Sequence, residues 1–228
     1  QLGEHMKYIN NFAVPDNETV MKESYEASNI QKVIDIVRQK KNTKLAIDCG
    51  AHIGVWSKKL AQHFDQVKSF EPVPRHYECF RHNLRDFDNV ELYTDALGAK
   101  GASAVDMKLC LYNTGRSSME SMRVKRKITT REEMIKVDVI TLDMLMIKDI
   151  DFIKIDVEGF EQQLLHGARN TLEHNSPIIY MEDFKRANNN PDNAGAYLEQ
   201  LGYTEIDAFP GHLGPKKLPN YLYAKINQ

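Results

Sequence analysis

Ile47-Asp48-Cys49-Gly50-Ala51-His52-Ile53-Gly54 decides the fold. It leaves the apolar run Leu45-Ala46-Ile47 and enters a helix whose inward positions are Val55, Trp56, Leu60, Ala61 and Phe64. A strand that ends in a glycine turn and opens a helix is the first unit of a parallel α/β sheet. Glycine lets the backbone take positive φ and lets a ligand approach closely. The helix start offers free N–H groups.

Outward from this turn the pattern repeats. Residues 67–70 read as a second strand ending at Glu71-Pro72, followed by a helix over 75–86 lined by Tyr77, Phe80 and Leu84. Val90-Glu91-Leu92-Tyr93 is a third strand, ending near Asp95-Ala96. Upstream, Ile30, Val33, Ile34 and Val37 recur at helical spacing, which predicts an amphipathic helix over 27–40. Downstream, 103–122 alternates weakly around Asn113-Thr114-Gly115, a hairpin pattern. Residues 135–142 alternate as a strand and 143–147 read as a short helix. The run 151–157 is a buried strand carrying charges, and 160–173 is a helix. Residues 177–181 form another strand, 193–201 a helix, and 203–209 with 220–226 a terminal antiparallel pair. The expected fold is α/β: a Rossmann-like three-layer sandwich with a seven-stranded, mostly parallel sheet and an antiparallel C-terminal hairpin.

Length and composition agree with one domain. The chain has 228 residues, 42% of them hydrophobic, and 30 basic side chains against 32 acidic ones, a formal charge of −2. A chain-wide basic field for nucleic acid is absent. No apolar run reaches the length of a membrane span and no signal peptide is recognisable. Three cysteines without a C-x-x-C pair argue against a disulfide scaffold or zinc ribbon and suit a reducing cytoplasm. Residues 1–5 read as an expression scar, 6–42 as an N-terminal strap with few core candidates plus its helix, and 43–228 as the main domain. A hairpin insertion falls at about 103–133.

The glycine turn serves two kinds of cofactor. A dinucleotide fingerprint has glycine where this chain has Asp48, and a carboxylate there would repel a diphosphate. A sulfonium and an ammonium are instead attracted, so the turn favours S-adenosylmethionine over NAD. Glu71 can accept from ribose hydroxyls and Asp95 from an adenine amino group, with Ala96 offering backbone contacts. Three acids at the carboxyl ends of successive strands face one crevice. His52, His76 and His166 lie in or near it. Trp56 reads as packing, and Cys49 as a small buried side chain.

With these residues the chain resembles the class I methyltransferases and, within them, the FkbM-type family, over roughly residues 43–184. The marks are residues 47–54, Phe70-Glu71-Pro72, Asn113-Thr114-Gly115 with Ser117-Ser118, Thr141-Leu142-Asp143 and Phe152-Ile153-Lys154-Ile155-Asp156-Val157-Glu158-Gly159-Phe160-Glu161. Leu165 and Gly167-Ala168 follow. The family usually carries Asn where this chain has His52. The resemblance implies methyl transfer from S-adenosylmethionine to a hydroxyl of a sugar or secondary metabolite. It implies cofactor contacts at Asp48, Gly50, Ala51, His52, Gly54, Glu71, Pro72, Asp95, Ala96, Asn113 and Ser117.

At the reactive end, Lys154, Asp156 and Glu158 fall on one face of the 151–157 strand at period two. Asp156 and Glu158 are candidates for a base or orienting acid, and Lys154 for neutralising Asp156 or holding substrate; a purely structural ion pair is the alternative. Asp156, Glu182 and Asp183 could offer oxygen ligands to Mg²⁺ or Ca²⁺, but no metal is expected. The basic stretch 123–131 is either a solvated loop or a contact for an anionic substrate. Two other readings stay open: an NAD-type oxidoreductase or epimerase, for which no Tyr-x-x-x-Lys pair is present, and a cofactor-binding pseudoenzyme. The acceptor and the oligomeric state are not legible.

Overall fold

The computed structural model describes residues 6–19, 21–99, 104–110, 132–210 and 219–226. The chain opens with β1 (Met6–Ile9), β2 (Phe12–Pro15) and α1 (Ala27–Lys40). Next come β3 (Leu45–Cys49), α2 (Val55–Ala61), β4 (Gln66–Phe70), α3 (Pro74–Asn83) and β5 (Val90–Tyr93). The middle holds β6 (Ala96–Leu97), β7 (Val105–Cys110), β8 (Glu132–Val137), β9 (Val139–Ile140), a 3-10 turn (Leu142–Leu145) and β10 (Ile150–Ile155). Then follow α4 (Glu161–His166), α5 (Arg169–Asn175), β11 (Ile178–Glu182), α6 (Phe184–Ala187), α7 (Ala194–Gln200), β12 (Thr204–Phe209) and β13 (Asn220–Ala224).

The main sheet has seven strands in the order β12-β13-β11-β10-β3-β4-β5. β10 pairs in parallel with β3 and with β11, and β3–β4 and β4–β5 are also parallel. β13 runs antiparallel to both β11 and β12. This is the sheet expected from the sequence. The physical reason is the near-continuous apolar character of β3, β10 and β11, which suits strands covered on both faces.

Alternation along those strands divides the core. Ala46, Phe152 and Tyr180 face one side with Ile30, Val33, Ile34, Val37, Trp56 and Leu60. Ile47, Cys49, Ile153, Ile155, Ile179 and Met181 face the other with Leu164, Leu165, Leu172 and Leu198. Period two therefore places Asp48 and Lys154, side by side in register, beneath α1 and α2.

Three local expectations change. The N-terminal strap, expected to hold few core residues, contributes Phe12, Ala13 and Val14 to the core. Asn83 fixes them, accepting from the Ala13 amide at 2.6 Å and donating to the carbonyls of Ala13 and Ile53 at 2.9 and 2.8 Å. The helix over 160–173 is two helices, α4 and α5, parted at Gly167-Ala168, where the chain passes the Gly98 carbonyl so closely that a Cβ on residue 167 would lie 1.9 Å from its oxygen. The hairpin arm β7 pairs with β8, not with a segment before 122. The proposed turn at 113–115 lies outside the described residues.

Candidate active site

The turn after β3 is held from below. Asp48 is fully buried. Its Oδ1 lies 3.2 Å from Lys154 Nζ, and its Oδ2 accepts from Ser57 Oγ at 2.6 Å. Lys154 Nζ donates to the Gly50 carbonyl at 2.7 Å and lies 3.9 Å from Asp156 Oδ2. Burial works against the lysine charge, but Asp48 and Asp156 outweigh it and hold its pKa above the ordinary value. The carboxylate at 48, expected to face a cationic ligand, is turned into the protein and matched to Lys154. Lys154 in turn braces the turn, with its side chain 3% exposed.

The turn itself is pinned to its neighbour strand. The Gly50 and Ala51 amides both donate to the Phe70 carbonyl, at 3.0 and 2.9 Å. Glu71, one residue further, is buried. Its Oε2 accepts from the His52 amide at 2.9 Å and its Oε1 from the Val73 amide at 2.9 Å, with His76 Nδ1 3.1 Å away. The His52 and His76 rings are 4.1 Å apart. Burial, then His76 and Lys154, hold the His52 imidazole well below its ordinary pKa, so it is neutral at pH 7. Pro72 is half-buried beside Glu71. Asp95, also half-buried, follows the end of β5, and the Ala96 amide is taken up by the Asp138 carbonyl at 2.8 Å. Gly54 begins α2 with φ 89°. Asn113, Ser117 and the basic stretch 123–131 lie outside the described residues. His166 is exposed against Tyr197, with ring centroids 4.4 Å apart.

One step beyond the Asp48–Lys154 row lies a second row of acids. Oxygens of Asp156, Glu158 and Glu182 all lie within 4.8 Å of one another. The strand ends at Ile155, and Glu158 reaches the group through a left-handed backbone (φ 53°), not by strand alternation. Glu161 clamps this loop: its Oε1 accepts from the Gly159 amide at 2.9 Å and the Val157 amide at 3.3 Å. Asp183, expected among the oxygen ligands, spends both oxygens on backbone amides, Arg186 at 3.0 Å and Gly195 at 2.9 Å. Glu158 stands where Asp183 was expected. A cavity of about 240 Å³ lined by Glu158, Glu161, Glu182, Phe184 and Lys185 opens beside the cluster.

The sequence reading missed Tyr25 and Glu26 at the start of α1, and the buried Glu161. Tyr25 and Glu26 sit close enough to Asp156 to feel its charge. Burial and then Asp156 push Glu26 up to about 7, while Lys154 and Trp56 pull it down. Burial pushes Glu161 up to about 7, with Asp156 adding to it and the loop amides opposing. Burial, then Asp156, Glu158, Glu161 and Glu26, push Glu182 up to about 10, so it keeps its proton at neutral pH. The only sequence signal for Glu26 is its place just before an amphipathic helix; the contact itself is long-range.

A pH effect on stability follows. An acid whose pKa is higher folded than unfolded binds more protons when folded. Its contribution is complete below the unfolded value of 4.5 and is lost as pH rises through about 7 for Glu26. Glu26→Gln is therefore expected to match wild type near pH 4.5 and to exceed it by about 2–3 kcal/mol at pH 8. Denaturant unfolding at the two pH values measures it; an equal difference at both contradicts the assignment.

The family model described as the methyltransferase FkbM domain matches residues 48–205, spanning every part of this site except Tyr25 and Glu26. The chain belongs to the FkbM methyltransferase domain family. A solved methyltransferase FkbM from Methylobacillus flagellatus KT superposes on this FkbM domain with a TM-score of 0.57 at 18% identity. The match covers 81% of this chain and 44% of that one, so the present chain corresponds to less than half of its length. An rRNA methylase from Streptococcus thermophilus gives a TM-score of 0.47 at 12% identity, covering 92% of this chain and 99% of that one. At these identities the FkbM domain shares a fold with the first, and the second adds no argument. No curated protein matches the chain. Among the described residues of the FkbM domain, no helix is long and apolar enough to cross a membrane.

Proposed function

We propose that this FkbM domain transfers a methyl group from S-adenosylmethionine to a hydroxyl of a sugar or secondary metabolite. The observation that carries the reading is the pair of carboxylates, Asp156 and Glu158, beside the Gly50–Gly54 turn, with Lys154 already matched to Asp48. A diphosphate there would meet like charge, at about 4 kcal/mol per close unit pair for an effective dielectric of about 20. A sulfonium and an ammonium would meet the opposite charge. The donor set thus fits S-adenosylmethionine and opposes NAD.

When bound, the cofactor supplies an electrophilic methyl on sulfur. Glu71, with the His52 amide and His76 against it, accepts from the ribose hydroxyls in this reading. Asp95 and Pro72 take the base in this reading. Asp48 acts at one remove, by fixing the lysine that holds the Gly50 carbonyl. Asp156 and Glu158 orient the acceptor hydroxyl in this reading. A hydroxyl with the acidity of water, pKa about 15.7, giving its proton to an ordinary carboxylate costs about 15 kcal/mol. Proton loss must therefore accompany or follow methyl attack, and alignment supplies most of the acceleration.

Calorimetry with S-adenosylmethionine and, separately, with NAD tests the reading. Binding of the first and none of the second is expected. Glu71→Ala should weaken it about 10–100-fold, the loss of hydrogen bonds to a charged acceptor. Heat with NAD alone reverses the assignment. Incubation with carbohydrate acceptors, followed by mass analysis, should show the gain of one CH₂.

A further inference from the structure

We propose that Glu161 is a positioning residue: it shapes the 157–159 loop so that Asp156 and Glu158 tell the sulfonium of S-adenosylmethionine from the neutral thioether left after transfer. The role rests on the methyl-transfer reading. Its geometry starts from one oxygen. Glu161 Oε1 accepts from the Gly159 amide at 2.9 Å and from the Val157 amide at 3.3 Å, and the carboxyl also receives its own amide. The two loop amides bracket Glu158, so their convergence on one acceptor curls the chain at that residue. Two left-handed values follow in succession, φ 53° at Glu158 and 95° at Gly159. Glycine takes such a value freely, whereas a glutamate takes it at a cost. Amides turned toward one point make a concave nest for an anion, and here the anion is a side chain of the same loop.

Both ends of the loop are fixed without Glu161. The Asp156 amide donates to the Cys49 carbonyl at 3.1 Å, and a Cβ on Gly50 would lie 1.9 Å from the Asp156 carbonyl oxygen, so the loop starts against the glycine turn. At the far end the Leu164 amide donates to the Phe160 carbonyl at 3.0 Å and α4 begins. Between these anchors, Glu161 is the acceptor for both loop amides. A capping carboxylate normally accepts from amides inside the first helical turn. Glu161, the first residue of α4, instead reaches back out of the helix to Gly159 and Val157.

Methyl transfer changes one charge beside this loop. The oxygen–carbon bond forms as the sulfur–carbon bond breaks, the electron pair of that bond stays on sulfur, and the hydroxyl proton passes to solvent. A sulfonium thereby becomes a neutral thioether. Carboxylates held near that sulfur favour the donor over the spent product, and the preference falls with distance. Glu158 adds to it only while the loop is curled, with oxygens of Glu158 and Asp156 within 4.8 Å of each other. Two carboxylates that close repel, so a fixed backbone is needed to keep them together.

The test is calorimetry of the whole chain with S-adenosylmethionine and with S-adenosylhomocysteine, read as the ratio of their dissociation constants. Glu161→Ala removes the clamp and should shift the ratio toward the product by about tenfold, or about 1.4 kcal/mol. Glu161→Gln keeps an acceptor oxygen for the two amides and should hold the ratio within about twofold of wild type. If the alanine variant does not fold, Glu161→Asp, one methylene short of the amides, replaces it with the same expected shift. A residue that only caps α4 would weaken both ligands alike; an unmoved ratio therefore overturns the proposal. Equal shifts in the alanine and glutamine variants also overturn it, because they trace the effect to the charge of Glu161 and not to its clamp. Amide hydrogen exchange checks the clamp itself: Val157 and Gly159 should exchange faster in the alanine variant than in wild type or the glutamine variant, and unchanged exchange defeats it. Wild type that binds neither ligand defeats the methyl-donor reading, and the loop role with it. Wild type that binds both, with the ratio unmoved in Glu161→Ala, defeats the loop role alone.

Discussion

Replacing Lys154 with Met is expected to cost about 3–5 kcal/mol, the usual penalty for stranding one member of a buried ion pair. For a chain of this length that is a fall in Tm of about 10 °C. The reason is geometric. Lys154 and Asp48 sit side by side on parallel strands β10 and β3, on the face that α1 and α2 cover. The lysine side chain is 3% exposed and the aspartate not at all. With the ammonium gone, Asp48 keeps Ser57 as a donor but loses its only cation among the described residues. The Gly50 carbonyl loses its 2.7 Å donor at the same time.

The double variant Asp48→Asn with Lys154→Met separates a pair from two independent residues. If the two charges exist for each other, the double variant recovers more than half of the lost stability. Additive losses would contradict the pairing. Turnover adds a second reading. A lysine that held substrate would leave the refolded double variant inactive, whereas a bracing lysine would let activity return with the fold. Glu71 and Asp156 remain untouched in these variants, so donor binding can be followed as an internal control.

This pair also shows what the sequence could and could not disclose. Period two along 151–157 and along 45–49 puts both charges on one face, and that much is legible from spacing. Strand order is what makes them neighbours. That the sheet is mostly parallel follows from the βαβ pattern, because apolar strands such as Leu45–Cys49 and Ile150–Ile155 must be covered on both faces, but neither strand records that the other lies beside it. Side-chain direction at strand ends is not legible in the same way. Glu158 was placed on the Lys154 face by alternation, yet it reaches Asp156 and Glu182 through a left-handed residue beyond the strand. Asp183 looks like a site acid by position but caps α6. Glu26 belongs to the site because α1 docks over β10 and β11, a contact between segments more than a hundred residues apart. Local pattern carries no record of such a contact. The apolar β2, at four residues, is too short to stand out as a core segment of the strap, although Asn83 locks it into the core.

Gly50→Ala should be more damaging still than the loss of the lysine. Gly50 has φ +78°, a left-handed value that costs an alanine about 1–2 kcal/mol by itself. A Cβ there would also lie 1.9 Å from the Asp156 carbonyl oxygen and 3.0 Å from its carbonyl carbon. Both are backbone atoms at the end of β10, so no side-chain rotation relieves the contact. The Asp156 amide donates to the Cys49 carbonyl at 3.1 Å, which ties the two segments together just where the methyl would intrude. Either that link opens or the turn moves off Phe70. The expected loss is about 4 kcal/mol or more, in the range reserved for a named steric failure. Gly202→Ala supplies the comparison, because Gly202 has φ +84° and nothing within 4 Å of an added Cβ. It bears the conformational cost without the collision and should lose only about 1–2 kcal/mol. Chemical denaturation of the two variants side by side therefore isolates the close approach of the turn to β10. Equal losses would mean that the glycine at 50 is there for its dihedral angles alone, and that the acids beyond it do not depend on the contact for their position.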